Sequence, residues 1–215
     1  MILEIKFQEN YSRGQLLLRS FFGWLYIVIP HIFLLMFLQI WSSILTFIAF
    51  WSILFTGRYP KSFFDFQVKL LRWNMRVNAR IYNLSDGYPK FGLNAVDPNI
   101  ILEVPYPEKL SRIMVLVKLL FGIFYVLIPH MIVLMFVSLA ANFLLIANWF
   151  IILFTGKSDL SFHTFLVGTL RWSTKINLYM GFMTDTYPPF RISPLPEEVI
   201  PGLTTSEYNQ NEYTS

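Results

Sequence analysis

The sequence predicts an all-α integral membrane protein made by tandem duplication, each copy a transmembrane hairpin followed by a cytoplasmic-side amphipathic helix. Three observations carry that expectation. Of 215 residues, 55% are hydrophobic and only 14% charged, whereas a soluble domain carries roughly a quarter charged residues. The apolar residues gather in two charge-free blocks, 20–57 and 119–156, each longer than the ~20 residues of one span. The chain also repeats itself, for "VIPHIFLLMF" at 28–37 returns as "LIPHMIVLMF" at 127–136, 99 residues later.

The 99-residue offset runs without a gap from Ile2 to about Leu93. "ILE" at 2–4 matches 101–103, "ILFTG" at 53–57 matches 152–156, and "LRW" at 71–73 matches 170–172. About a third of the aligned positions are identical, which only duplication explains. Residues 1–99 then form a first repeat, 100–193 a second, and 194–215 a tail.

Taken in order, "MILEIKFQEN" lacks the basic n-region of a cleavable signal peptide. "ILEIKF" and its copy "ILEVPY" alternate like short strands, able to pair with each other or with "KFGL" and "FRIS". A helix is expected from about Ser12, with Arg19 snorkelling toward headgroups. Glu9–Arg13 and Glu108–Arg112 have the i,i+4 spacing that supports helix starts.

Each apolar block covers 38 positions, about 57 Å as one helix, nearly twice a ~30 Å hydrocarbon core. Two spans fit, turning near "QIWSS" (39–43) and "SLAAN" (138–142), with shallow re-entrant hairpins as the alternative. Every Lys and Arg lies outside the blocks. The positive-inside rule therefore puts both termini and the middle linker in the cytoplasm. With an even number of spans per repeat, the pseudo-twofold lies along the membrane normal.

Gly57 reads as a helix C-cap. Beyond it, Asp65, Lys69, Arg72, Arg76 and Arg80 fall on one helical stripe, and Phe63, Phe66, Leu70, Trp73, Val77, Ile81 and Leu84 on another. This predicts a helix at the cytoplasmic interface. Arg72, Trp73 and Arg76, with Arg171, Trp172 and Lys175 in the second copy, become candidate contacts to anionic lipid headgroups or a protein partner. Asp86, Tyr88, Asp185 and Tyr187 sit in Tyr-Pro turns, where each aspartate can cap backbone groups or pair with Arg72 or Arg171.

Pro30–His31 and Pro129–His130 interrupt the apolar runs. Proline removes an N–H and leaves the carbonyl four residues earlier without its donor, which in hydrocarbon needs another. The histidine is one source of it, and an ionisable residue inside a membrane is a candidate site. The two histidines have no carboxylate within the blocks to complete a metal site or a proton relay.

Cysteine is absent, which excludes disulfides and thiolate chemistry. No phosphate-binding glycine loop or hydrolase elbow occurs, so neither an enzyme, a cofactor nor a nucleic-acid partner is expected. The polar, proline-containing tail from Pro194 is expected to be disordered.

"YPEKLSR" (106–112), "IPH", "ILFTGK" (152–157), "F-x-x-F-x-V-G-x-L-R-W" (162–172) and "TDTYPPF" (184–190) resemble a bacterial membrane family known as domain of unknown function 4389. The first copy fits more loosely, with "FQENYSR" and "SDGYPKF" at the matching places. The resemblance spans about Ile2 to Ile192 and implies a bacterial plasma-membrane location, without implying an activity. The function expected is a non-catalytic accessory or scaffold subunit, associating with the bilayer and with a membrane-protein partner or itself. The alternative is a small transporter, channel or lipid-handling protein.

Overall fold

The computed structural model describes residues 1–199. Its elements are β1 (Ile2–Ile5), a long helix α1 (Arg13–Thr56), α2 (Lys61–Ile81), β2 (Ile100–Glu103), a second long helix α3 (Arg112–Thr155), α4 (Leu160–Met180) and a 3₁₀ turn at Pro196–Glu198.

The expected hairpins are absent. Each repeat holds one unbroken helix of 44 residues, about 66 Å along its path, and the expected turns at 39–43 and 138–142 lie inside it. The polar residues there satisfy themselves against their own helix. Ser43 Oγ donates to the Gln39 carbonyl at 3.0 Å, and Asn142 Nδ2 to the Ser138 carbonyl at 2.8 Å. With neither Gly nor Pro present, nothing stops the helix. The topology argument from an even number of spans falls with the hairpins.

Ser12 and Ser111 cap the starts, each hydroxyl accepting a main-chain N–H three residues on. Gly57 and Gly156 close the ends, both at φ +74°, the left-handed region glycine tolerates. Between them the α-helical ladder is interrupted by a π-turn, Trp24–Val28 in α1 and Ile123–Leu127 in α3. Both turns fall directly before the Pro-His pairs.

The strands pair antiparallel in the register Ile2↔Glu103, Leu3↔Leu102, Glu4↔Ile101, Ile5↔Ile100. Leu3 and Leu102 are equivalent positions of the two copies, so the pseudo-twofold passes through this pair. The copies are then exchanged end for end. The Tyr11 N–H bonds the Gly156 carbonyl and the Leu110 N–H the Gly57 carbonyl, both at 2.8 Å. Each long helix thus starts beside the end of the other, and Tyr11 and Leu110, six and seven residues past the strands, tie all four ends to the ribbon.

Burial separates the faces. Leu16, Arg19, Gly23, Ile27, His31, Ser42, Leu45, Ala49 and Ile53 make one inward line along α1. Phe21, Trp24, Phe33, Phe37, Trp41, Phe47 and Phe55 stand at 50–69% exposure around the rest. α3 does the same, with Phe124, Phe136, Phe143 and Phe154 at 61–73%. A surface helix of a soluble protein has the opposite polarity. Both helices are long and apolar enough to cross a membrane.

α2 packs against α1 in antiparallel order, Gln67 meeting Ser42 and Thr46, and Trp73 meeting His31. Its other side carries the ribbon and the 90–98 loop. The expected placement of Trp73 and Arg76 toward a membrane interface is thereby corrected, for Trp73, Met75, Arg76, Val77, Ala79 and Arg80 are all buried, while Lys61, Ser62 and Arg72 keep an exposed polar edge. The tail expectation is corrected in part, since Glu198 is 3% exposed and pairs with Lys175 at 2.6 Å. Residues 200–215 lie outside those described.

Candidate functional site

The Pro-His motifs build two equivalent aromatic knots. Tyr26 is four residues before Pro30, so its carbonyl is the one the proline leaves without a donor. The Tyr88 hydroxyl supplies it at 3.0 Å. In the second copy Tyr187 donates to the Tyr125 carbonyl, four before Pro129, at 2.9 Å. The donor is therefore the tyrosine of the Tyr-Pro turn, not the histidine.

Each histidine is fully buried within its own repeat. Trp73 Nε1–H donates to His31 Nδ1 at 2.8 Å, and Trp172 Nε1–H to His130 Nδ1 at 3.0 Å. An indole only donates, so each Nδ1 accepts and the ring is neutral with its proton on Nε2. Phe91 stacks on His31 at 3.9 Å and Phe190 on His130 at 3.8 Å. Among the described residues no hydrogen bond or ring contact joins His31 to His130. The structure places the two histidines in separate cages.

The turn aspartates hold the starts of the long helices. Asp86 accepts from the Ser12 N–H at 2.8 Å and from Arg19 at 2.9 Å. Asp185 accepts from the Ser111 N–H at 2.7 Å and from Lys118 at 2.9 Å. Pairing with Arg72 or Arg171 does not occur. Arg19 does not snorkel, because its charge is met inside by Asp86 and by the Ser85 carbonyl. Glu9 reaches Lys157 of the other copy instead of Arg13.

Several cations of α2 and α4 are drawn inward as well, while Lys61 and Arg72 stay exposed. Arg76, 2% exposed, donates to the carbonyls of Lys90, Gly92 and Ala95. Burial pushes its guanidinium below the ordinary value, Asp97 opposes that, and Arg80 and Arg72 add to it. Arg72 Nε donates to the Leu102 carbonyl at 2.9 Å. Arg171 donates to the Leu3 carbonyl from Nε and from a terminal nitrogen at 3.3 and 2.9 Å. Burial lowers its guanidinium too, opposed by Glu4 and Glu198. Arg76, Arg171 and Lys175, offered to headgroups by the sequence reading, are used inside the fold. A guanidinium suits this, because its five donors serve several carbonyls at once.

Sequence reasoning missed His163. It replaces Phe64 of the first copy, is fully buried, and hydrogen-bonds the Ile5 carbonyl through Nε2 at 2.8 Å. Burial pushes its pKa down to about 4. The departure from the repeat at that position was its only signal.

A family model described as "Domain of unknown function (DUF4389)" matches residues 18–92 and 114–191. The chain belongs to this family. The two DUF4389 segments each run from a long helix through its π-turn and Pro-His pair to the Tyr-Pro-x-Phe turn, so each contains one complete knot. No curated protein and no solved structure matches. Among the described residues no group of three or more His, Cys, Asp or Glu is placed to hold a metal.

Proposed function

We propose that this DUF4389 protein is a non-catalytic module embedded in the bacterial plasma membrane, not the multi-pass one expected from hairpins, and that it is an accessory or scaffold subunit whose long helices present their outer faces to acyl chains and to helices of a partner. One observation carries the reading: the outward surfaces of both 44-residue helices are apolar, while their inward histidines, Arg19 and Lys118 are committed to bonds within the fold. Side chains held in this way serve shape, with Nε2 of each histidine left without a hydrogen-bond partner among the described residues. The basic residues beyond the apolar blocks, with all four helix ends tied to one ribbon, support a cytoplasmic position for that ribbon and for α2 and α4.

A second reading, lipid handling, is favoured by a cleft of about 410 Å³ lined by Gln39, Ser42, Thr46, Gln67, Asn74 and Asn177. It is neutral and hydrogen-bonding, and in the second copy Ser42, Thr46 and Gln67 become Ala141, Leu145 and Leu166.

The test is purification of the tagged protein from its native membrane in mild detergent, with mass spectrometry of what remains bound. A stoichiometric membrane-protein partner supports the subunit reading. Recovery without a partner, together with solute flux or lipid transfer in liposomes, overturns it.

A further inference from the structure

We propose that the first repeat carries an anion site for a phosphate group, in the cleft between α2, the 93–98 loop and β2. The cleft is about 430 Å³, and Lys69, Arg72, Arg76, Asn94, Asp97 and Glu103 line it. Its charges do not cancel. Asp97 is taken by Arg80 at 2.6 Å, both side chains about 5% exposed, which leaves three cations against the single carboxylate of Glu103.

Two of those cations keep free donors. Arg76 spends its guanidinium on loop carbonyls, which carry no formal charge to offset it. Arg72 commits Nε to the Leu102 carbonyl and leaves its two terminal nitrogens without a partner among the described residues. Lys69, one turn before Arg72 on the same face, likewise has no ion-pair or hydrogen-bond partner there. A forked guanidinium and an ammonium side by side over a concave surface are the donor set that phosphate oxygens require.

The second repeat shows the same place closed. Lys69 corresponds to Gly168, and a Cβ there would lie 2.1 Å from Ile192 Cγ2 and 2.6 Å from the Ile192 carbonyl oxygen. Ile192 thus occupies the space where the first repeat puts its lysine. Arg171 is turned onto Leu3 and Glu4, and Lys175 onto Glu198. The duplication left one copy filled and neutralised, and the other open and cationic.

Two sources present this chemistry, a free phosphate compound and the headgroup of a phospholipid. The full-length protein in nanodiscs of zwitterionic lipid is titrated calorimetrically with inorganic phosphate and with glycerol phosphate. In parallel, retention of phosphatidylglycerol is measured by native mass spectrometry. Lys69→Gln tests the site, and exposed Lys6→Gln controls for general charge. Saturable binding of either soluble phosphate, weakened at least tenfold by Lys69→Gln and less than twofold by Lys6→Gln, supports the proposal with a soluble ligand. Phosphatidylglycerol retention lost only in Lys69→Gln, with no soluble phosphate bound, supports it with a lipid headgroup. Circular dichroism checks that the variant keeps its helix content, and Arg72→Gln serves as the second variant. Binding unchanged in both site variants, or no binding of any of the three probes, overturns it.

Discussion

Arg171 on α4 donates two hydrogen bonds to the main-chain carbonyl of Leu3, 168 residues away. Arg72 makes the mirrored contact to Leu102, the residue paired with Leu3 across the pseudo-twofold. The arginine of each "LRW" motif therefore holds the other copy's strand, so neither repeat completes its interior alone. Removing a buried charged partner costs about 3–5 kcal/mol. Arg171→Ala is expected to lose that much in denaturant unfolding in detergent micelles. Lys157→Gln, which breaks an exposed pair with Glu9, is expected to lose less than about 1 kcal/mol.

The tyrosine–proline relationship predicts a coupling. Tyr187→Phe strips the Tyr125 carbonyl of its donor and is expected to cost about 1–3 kcal/mol. Pro129→Ala restores a main-chain N–H to that carbonyl. In the Pro129→Ala background the tyrosine change is then expected to cost less than half as much. A double-mutant cycle measures this, and additive costs would contradict the assignment.

The histidine cages predict that chemistry at the rings is dispensable. His31→Phe with His130→Phe removes the acceptors of Trp73 and Trp172. Each change is expected to destabilise by about 1–3 kcal/mol, with membrane insertion and helix content intact by circular dichroism. Abolished ion flux in a fully folded double variant would instead make the histidines a pathway.

Acid is expected to destabilise the protein through His163. Its folded pKa of about 4 lies below the ordinary ~6.5 of the unfolded chain. Above pH 6.5 both states are neutral and the contribution is complete. Between pH 6.5 and 4 the unfolded state binds the proton first, so stability falls with pH across that window, by up to about 3 kcal/mol. Unfolding measured from pH 8 to pH 4 should show the loss, and His163→Phe, the first copy's residue, should flatten the slope.

Duplication, the helix start near Ser12, the Gly57 cap, two short strands able to pair and the apolar character of 20–57 and 119–156 were legible in the sequence, because each rests on local pattern. The unbroken helix was not. The hairpin followed from comparing 38 apolar positions with a bilayer's thickness, whereas Ser43 and Asn142 bond their own helix where a turn was expected. The cation stripe misled for another reason. Periodicity places Arg72 and Arg76 on one face but does not say what covers it, and carbonyls of the loop replace water at Arg76 while Arg72 stays exposed. Asp86 and Asp185 found Arg19 and Lys118 because the returning chain passes the helix starts, a tertiary relationship that spacing does not record.

The absence of cysteine allows the central claim to be measured directly, by single-cysteine spin labels at each position from 33 to 51 of α1 in liposomes. Collision rates with oxygen and with a water-soluble nickel chelate report the surroundings of each label. Oxygen access is predicted to follow an unbroken 3.6-residue period, high at Phe37, Ile40, Trp41, Ile44, Phe47 and Ile48 and low at Ser42, Leu45 and Ala49, with little access to nickel throughout. A nickel maximum at 39–43, the mark of a hairpin tip in water, or nickel access along the outer face, would contradict a continuous lipid-embedded helix.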